Sequence, residues 1–306
     1  MIARGECPMR QRRLHDGTEI PAVGQGSWGL GKDRRRRTRE IDALRRGVEA
    51  GMTVIDSAEF YSAGEAERVV GEAVRDIRDR VFITTKVWPV HARAEDVVRS
   101  VRESKRRIGV DVIDAVLLHW PTRRVPLAET LGALAKLRRD GDIRHFGVSN
   151  FDGRWLQAAE AALPAEEHLA MNQVPYSLDR RGIEHEVLPA AQRMGFLVQA
   201  YSPLAHGRRI AALTASADLR AIAAAHDVTP VQVALAFLLR QEGVIVIPKA
   251  SSATHARENA AAGDLVLTPE EETRIAAAFP LKGAFRPDLP DWMHGPAWSA
   301  GRVFRL

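Results

Sequence analysis

Cysteine is almost absent from this chain. The one cysteine, Cys7, rules out an intramolecular disulfide framework and a cysteine-based metal site. No apolar run approaches the roughly 20 residues of a membrane-spanning helix, and residues 1–13 contain no apolar stretch typical of a secretory signal. The sequence therefore predicts a cytoplasmic protein without membrane contacts.

Lysine is also scarce, because only six of the 44 basic residues are lysines. The formal net charge of +5 comes from arginines spread over the whole chain, which disfavours nucleic-acid binding and favours only a mild attraction for anions. Lysine is a compact charge whose pKa can shift, whereas arginine stays protonated. Lys86 and Lys249 therefore stand out, since each closes an apolar run in a chain that otherwise uses arginine.

Apolar runs and amphipathic stretches alternate regularly along the 306 residues, of which 45% are hydrophobic. Eight apolar runs predict strands buried on both faces of a parallel sheet, over residues 22–27, 53–56, 81–86, 113–119, 143–149, 169–173, 196–201 and 244–248. Helices are predicted over residues 40–50, 65–74, 95–108, 127–139, 154–163, 184–194, 219–225, 231–241 and 268–278. The last of these begins with Thr268 as N-cap, Pro269 and Glu271.

Eight strands that alternate with helices favour one α/β domain over residues 1–306, a (β/α)8 TIM barrel. The competing fold is a doubly wound open sheet. It is disfavoured because the glycines within residues 24–31 do not open a helix, as a dinucleotide-binding fingerprint would require. Residues 1–13 are expected to be flexible, and residues 282–306 are expected to form an extended loop over the barrel.

Polar residues close three consecutive predicted strands. Asp56, Lys86 and His119 each follow an apolar run, and Tyr61 lies five residues beyond Asp56. Chemistry in a TIM barrel takes place at the carboxyl ends of the strands, so these side chains are expected to meet. Each alone has a structural explanation, as a rim ion pair, a core histidine or a loop residue.

Together these four residue types form a proton-donating unit. A free tyrosine has a pKa near 10, and a neighbouring Lys86 ammonium is expected to lower the pKa of Tyr61. Asp56 would pair with the buried ammonium, and His119 would donate a hydrogen bond to a substrate carbonyl oxygen. The expected reaction is therefore protonation of a carbonyl oxygen during hydride transfer.

Three segments resemble the signature segments of the aldo-keto reductase family: residues 54–61, 84–89 and 117–121. The resemblance covers roughly residues 14–281 and implies that Asp56, Tyr61, Lys86 and His119 are the catalytic tetrad, with Tyr61 as general acid. It also implies an amino-terminal hairpin before the barrel. Within the family, the chain is most similar to short bacterial members of the methylglyoxal reductase and 2,5-diketogluconate reductase kind.

The resemblance also implies NADPH as the cofactor. Ser149, Asn150 and Gln173 would bind the nicotinamide carboxamide, and Tyr201 would stack on the ring and leave one face open. Further implied cofactor contacts are Gly26, Ser27, Trp28, Asp56, Ser202, Leu204, Ala250, Ser251, Glu258 and Asn259.

The adenosine phosphate is expected at a helix N-terminus after the eighth strand. Lys249 would supply charge for a 2′-phosphate, next to Ser251 and Ser252. The chain departs here from a common family pattern, because Ala250 replaces a serine and His255 replaces an arginine. Histidine carries less charge at neutral pH, so NADH remains an alternative cofactor.

The predicted substrate site combines tryptophans with the polar groups, as is usual for small molecules. It comprises Trp28, Tyr61, Trp88, His119 and Trp120. A monomer that reduces small aldehydes or ketones is expected, with no metal ion, since the histidines lack metal-binding spacings. Two alternatives stay open: a Schiff-base lyase that uses Lys86, and a non-catalytic NADP(H)-binding sensor or regulatory subunit.

Overall fold

Strands that follow one another in chain order make up the centre of the molecule. The computed structural model describes residues 9–205, 208–250 and 252–287. Its strands are β1 (Gln11–Arg13), β2 (Glu19–Pro21), β3 (Gln25–Gly26), β4 (Val54–Asp56), β5 (Phe82–Val87), β6 (Ile113–Leu118), β7 (Ile143–Ser149), β8 (Met171–Pro175), β9 (Leu197–Tyr201) and β10 (Val244–Val246). Strands β3 to β10 are parallel neighbours, and a bridge between Val23 and Val246 joins the two edges of the sheet. The predicted (β/α)8 barrel is confirmed.

Helices surround this sheet. They are α1 (Arg37–Glu49), α2 (Glu65–Val74), α3 (Ala94–Ile108), α4 (Leu127–Arg139), α5 (Gly153–Ala162), α6 (Val187–Met194), α7 (Arg208–Thr214), α8 (Ala217–Ala225), α9 (Pro230–Leu239), α10 (Ala253–Ala261) and α11 (Pro269–Ala278). Short 3-10 turns occur at Arg34–Arg36, Tyr61–Gly64, Arg78–Arg80, Pro89–His91 and Gly182–Glu184. The sequence did not predict α7.

Local sequence signals explain several helix ends. The predicted capping box of α11 is confirmed, because the Thr268 hydroxyl accepts from the Glu271 backbone and the Glu271 side chain accepts from the Thr268 backbone. Helix α3 ends at Gly109, whose φ of 78° is a left-handed conformation that glycine adopts without strain. Such caps fix where each helix returns the chain to the next strand.

The barrel interior has an apolar half and a polar half. Val54 and Phe82 lie at the amino ends of their strands and belong to a separate apolar cluster. Two residues further along β4 lies Asp56, and Lys86 lies four residues beyond Phe82 on β5. Because side chains on a strand alternate between its two faces, the inward positions at the carboxyl ends are polar. This arrangement places the candidate site at the mouth of the barrel.

The hairpin β1–β2 closes the opposite, amino-terminal end. Its residues Leu14 and Ile20 are buried in the same apolar cluster as Val54 and Phe82. The Arg12 guanidinium donates to the backbone oxygens of Leu239 and Val244, at 2.8 and 3.1 Å. The predicted hairpin is thus present. The expectation that the chain is flexible as far as residue 13 is wrong for residues 11–13, which form β1.

Residues 282–287, which begin the carboxyl-terminal segment, pack against residues 182–186 before α6. Phe285 donates its backbone N–H to the oxygen of Gly182 at 3.0 Å. A Cβ atom at position 182 would lie 2.6 Å from the Gly283 oxygen, so this close approach requires glycine. Arg286 pairs with Glu186 at 2.7 Å. The predicted loop over the barrel otherwise falls on residues 288–306, outside the described part.

Among the described helices, none is long and apolar enough on its own to cross a membrane. Helices α8 and α9 pass that test of length and composition only as a pair bent by 91°.

Candidate active site

A buried ion pair lies at the mouth of the barrel. Strands β4 and β5 are parallel neighbours, so Asp56 and Lys86 meet at their carboxyl ends. The Lys86 Nζ atom lies 2.8 Å from both carboxylate oxygens of Asp56 and 2.7 Å from the backbone oxygen of Ser57. Burial raises the pKa of Asp56 and lowers that of Lys86, while their mutual attraction acts in the opposite sense on each.

Tyr61 shares this ammonium. Lys86 Nζ donates to the Tyr61 hydroxyl at 3.0 Å. The tyrosine starts a 3-10 turn in which Ser62 and Ala63 have φ values of 53° and 55°, a left-handed conformation that is strained for residues with a Cβ atom. The turn directs the phenol into the barrel mouth, where the tyrosine is 7% exposed.

The pKa of Tyr61 differs from the sequence expectation. Burial, and then the charges of Asp56 and Tyr201, raise the pKa of Tyr61 well above 10, so the expected lowering by Lys86 is wrong for this structure. Because the hydroxyl is screened from water, forming a phenolate is costly until something compensates its charge. The phenol therefore keeps its proton at neutral pH.

His119 follows β6 and completes the group. Burial, and then the charge of Lys86, lower its pKa well below 6.5, so the imidazole is neutral. Its ring centroid lies 5.7 Å from that of Tyr61. Its Nδ1 atom is buried and has no hydrogen-bond partner within the described residues. A neutral imidazole beside a phenol can donate one hydrogen bond to a small polar ligand or accept one from it.

A chain of hydrogen bonds connects the candidate nicotinamide residues to Asp56. Tyr201 donates to Asn150 Oδ1 at 2.9 Å, and Asn150 donates to Ser149 Oγ at 3.1 Å. Ser149 in turn donates to the Gln173 backbone oxygen at 2.8 Å, and the Gln173 amide donates to Asp56 at 2.7 Å. Asp56, Ser149 and Tyr201 are the last residues of β4, β7 and β9, Asn150 follows β7, and Gln173 lies within β8.

The first loop contributes glycine, serine and tryptophan in different ways. A Cβ atom at Gly26 would lie 3.0 Å from the Ile247 oxygen, so a larger residue would crowd the backbone just after β10. The Ser27 hydroxyl is buried and donates to Ser57 Oγ at 3.0 Å, which directs it into the protein. Trp28 is 51% exposed and its ring packs edge-on against Tyr61, with centroids 4.8 Å apart. Trp28 thus borders the mouth of the barrel.

Positive charges gather where the adenosine phosphate was predicted. Burial, and then the charges of Lys32 and Arg36, lower the pKa of Lys249, against the opposing influence of Glu40. Lys249 follows Ile247 and Pro248 after β10, and Ser252 caps α10 by accepting from the His255 backbone at 3.3 Å. A cationic cluster beside a helix N-terminus suits an anion.

The other residues predicted around the phosphate differ in accessibility. His255 is exposed, Glu258 is partly exposed, and Ala250 and Asn259 are buried. Ser202 and Leu204 are partly exposed after β9. The predicted contact Ser251 lies outside the described residues.

An aromatic wall faces the phenol. Trp88 is buried, and its ring stacks on that of Phe60 with centroids 4.1 Å apart and an interplanar angle of 7°. Trp88 also packs edge-on against His119 at 4.9 Å, and Trp120 follows His119 on the same loop. The sequence prediction missed Phe60, although it is adjacent to Tyr61. Its stacking partner is 28 residues away, which a local pattern does not reveal.

No group of three or more His, Cys, Asp or Glu side chains within the described ranges is arranged to hold a metal ion.

Comparison with known proteins agrees with this geometry. A profile of the Aldo/keto reductase family matches residues 22–279. The chain belongs to the aldo/keto reductase family. It is 41% identical over 262 residues to methylglyoxal reductase YeaE of Escherichia coli, covering 85% of this chain and 92% of that protein. It is 32% identical over 266 residues to methylglyoxal reductase DkgB of Salmonella typhi, covering 84% and 92%.

A solved structure gives the same result. An aldo/keto reductase from Klebsiella pneumoniae, in complex with NADP and acetate, superposes with a TM-score of 0.87 at 41% identity. The match covers 92% of this chain and 100% of that one. Family membership confirms the predicted oxidoreductase class and its use of an NADP(H) cofactor.

The residues of this chain fit such a cofactor. The partly exposed Tyr201 ends β9, and the amides of Asn150 and Gln173 come from the end of β7 and from β8. Lys249 and the N-terminus of α10 follow the neighbouring strand β10. The first group suits a nicotinamide ring with its carboxamide, and the second suits a phosphate.

Proposed function

We propose that this protein reduces small aldehydes and ketones, 2-oxo-aldehydes such as methylglyoxal among them, with NADPH as the hydride donor and Tyr61 as the proton donor. The position of Lys86 supports this function most directly, because its ammonium contacts both Asp56 and the Tyr61 hydroxyl. The two methylglyoxal reductases similar to this chain support the choice of substrate.

The bound cofactor would supply a hydride to the carbonyl carbon. The residues of the protein would donate a proton to the carbonyl oxygen and stabilise the charge that develops during the reaction. Tyr61 holds its proton at neutral pH because burial raises its pKa. As the oxygen becomes an alkoxide, a stronger base than phenolate, the proton leaves Oη of Tyr61. Lys86, already 3.0 Å away, then stabilises the phenolate.

Asp56 and His119 have supporting roles in this scheme. Asp56 holds the Lys86 ammonium in place by two contacts of 2.8 Å. The neutral His119 can donate a hydrogen bond to the carbonyl oxygen and so orient it toward Tyr61. Trp28, Phe60, Trp88 and Trp120 would form the apolar walls around the reacting group.

The remaining assignments complete the proposal. One domain spans the chain, and the protein acts as a cytoplasmic monomer. Lys249 makes NADPH the preferred cofactor over NADH. A Schiff-base lyase fits less well, because the Lys86 side chain is fully buried and its ammonium contacts the acidic partner Asp56.

The decisive experiment compares two tyrosine variants, and the chain has only three tyrosines. NADPH oxidation with methylglyoxal is followed for wild type, Tyr61→Phe and the control Tyr176→Phe, whose hydroxyl donates to Glu184 at 2.8 Å. We expect Tyr61→Phe to lower kcat by about 100-fold or more, as loss of a general acid does, with NADPH affinity unchanged. The control should keep its activity.

Other outcomes point to the alternatives. Undiminished turnover in Tyr61→Phe would show that another group donates the proton. NADPH binding without turnover of methylglyoxal or a wider carbonyl panel would favour the sensor. Trapping of a ketone on Lys86 by borohydride would favour the lyase.

A further inference from the structure

Glu59 is a nearly buried carboxylate beside the candidate catalytic residues, and the scheme above gives it no role. It lies two residues before Tyr61, in the loop that follows β4, and its side chain is 10% exposed. Its Oε1 atom accepts from the Trp88 backbone N–H at 2.6 Å and contacts His91 Nδ1 at 2.9 Å. Its Oε2 atom accepts from the Ser100 hydroxyl. All three partners belong to the next β–α unit around the barrel.

These contacts continue the pairing of the two units beyond the ends of their strands. Backbone bonds run from Ser57 N to Thr84 O at 2.8 Å and from Glu59 N to Lys86 O at 3.4 Å. The chain leaves the sheet after Val87, the last residue of β5. The Glu59 carboxylate then ties the Tyr61 loop to Trp88, to the 3-10 turn Pro89–His91 and to α3.

The two segments joined by Glu59 also carry the nearby ring contacts. Phe60 stacks on Trp88 at 4.1 Å, and Trp88 packs against His119 at 4.9 Å. Tyr61, next to Phe60, hydrogen-bonds to Lys86. The backbone amide of Trp88 is fixed by Glu59 itself, so one carboxylate sets the relative position of the phenol and the aromatic wall.

We propose that Glu59 is a positioning residue, which holds the Tyr61 loop against the Trp88–His91 turn and so fixes the phenol for proton transfer. This inference rests on the proposed function for its kinetic consequence only. Glu59 does not contact the reacting atoms through its side chain, since that side chain is taken up by Trp88, His91 and Ser100.

The chemistry of the contacts requires an ionised carboxylate. It faces two N–H donors and one O–H donor, and a carboxylate accepts all three at once. Burial alone would raise the pKa of Glu59, but hydrogen bonds from His91, Ser100 and Trp88 and the charge of His91 hold it below its ordinary value. A glutamine of the same length would turn an N–H group toward at least one of these donors.

The test uses Glu59→Gln with Glu167→Gln as the matched control. Glu167 is also buried and accepts from Arg138 and Arg139, at 2.9 and 3.0 Å, on the outside of the barrel. Both variants lose a buried ionised acceptor, so both should lower the melting temperature. Only Glu59→Gln should alter the environment of Tyr61.

The first measurement does not depend on turnover. Protein labelled with 3-fluorotyrosine has three sites, Tyr61, Tyr176 and Tyr201, and Tyr61→Phe assigns the Tyr61 resonance in the ¹⁹F NMR spectrum. We expect this resonance to shift or broaden in Glu59→Gln and to stay in place in Glu167→Gln. The second measurement is kinetic: kcat for carbonyl reduction should fall by about tenfold in Glu59→Gln, as for a misplaced catalytic group, with NADPH affinity unchanged.

An unchanged Tyr61 resonance together with an unchanged kcat in Glu59→Gln would overturn the inference. If the wild type reduces no carbonyl compound, the proposed function fails, yet the NMR result still decides the role of Glu59. If Glu59→Gln does not fold, Ser100→Ala and His91→Ala each remove one contact of the carboxylate. They should then shift the same resonance by a smaller amount, and no shift in either would overturn the inference.

Discussion

The ammonium of Lys86 lies 2.8 Å from both carboxylate oxygens of Asp56, and the two side chains are 0% and 3% exposed. A buried pair of this kind is sensitive to the loss of one partner, because the other charge remains without compensation. Lys86 also donates to the Tyr61 hydroxyl. A substitution in this ion pair should therefore change both the stability of the protein and the proton transfer from Tyr61.

We predict that Asp56→Asn destabilises the protein by about 3 kcal/mol, because Lys86 keeps a buried charge without its counter-ion. The double variant Asp56→Asn/Lys86→Met should regain much of this loss, since it removes the second charge. Urea denaturation of wild type and these two variants measures both effects. Equal stability of Asp56→Asn and wild type would contradict a buried charged pair.

The Glu59–His91 pair predicts a pH dependence of stability. Its hydrogen bond to Glu59 raises the pKa of His91, which also faces Asp96 and Arg99, and the pKa of Glu59 is lowered. The His91 contribution is therefore complete below its unfolded pKa, about 6.5, and disappears as pH rises through its higher folded pKa. The Glu59 contribution is complete above its unfolded pKa, about 4.3, and disappears as pH falls through its lower folded pKa.

Melting temperatures of wild type and His91→Ala should accordingly differ most between about pH 5 and 6.5. The difference should narrow as the solution becomes alkaline. A difference that stays constant from acidic to alkaline pH would show that His91 contributes through packing and not through its charge.

His255 is predicted to limit the selectivity for NADPH. The side chain is exposed on the first turn of α10, where an arginine could place a permanent charge near a 2′-phosphate. We expect His255→Arg to raise the ratio of the NADH to the NADPH dissociation constant by about tenfold, the size of one additional charged hydrogen bond. Calorimetric titration measures both constants. Arg257→Ala on the same helix is the control and should leave the ratio unchanged.

Lys249 should contribute to NADPH affinity and not to NADH affinity. It lies close enough to Lys32 and Arg36 for their charges to lower its pKa, and a bound phosphate would relieve that repulsion. Lys249→Met should weaken NADPH binding by about tenfold or more. Lys136→Met, which removes a surface partner of Asp140, is the matched control. An equal loss for NADH would show that Lys249 does not read the 2′-phosphate.

Residues at strand ends could be located from the sequence, whereas long-range contacts could not. Asp56, Lys86 and His119 each close an apolar run, and parallel strands bring such positions to one end of a barrel. The partners of Glu59 are separated from it by 29, 32 and 41 residues, across another strand and turn. A periodic pattern within one segment of sequence does not predict contacts between residues that are so far apart in the chain.

The pKa of Tyr61 shows a second limit of sequence reasoning. The charges around the phenol could be named from residue types alone, and Lys86 does donate to it. The dominant influence is burial, which depends on how completely loops and strands exclude water. That quantity is a property of the whole barrel and not of one motif. Residue identity thus predicted that Lys86 lies beside the phenol, but it gave the wrong direction for the shift in the pKa of Tyr61.

The hairpin β1–β2 determines from which end of the barrel small molecules can reach the site. Leu14 and Ile20 cover the amino-terminal end of the barrel and pack against its inner apolar cluster. The barrel is therefore open to solvent only at its carboxyl-terminal end. Cofactor, carbonyl compound and the solvent proton that recharges Tyr61 would then all enter from the carboxyl-terminal mouth.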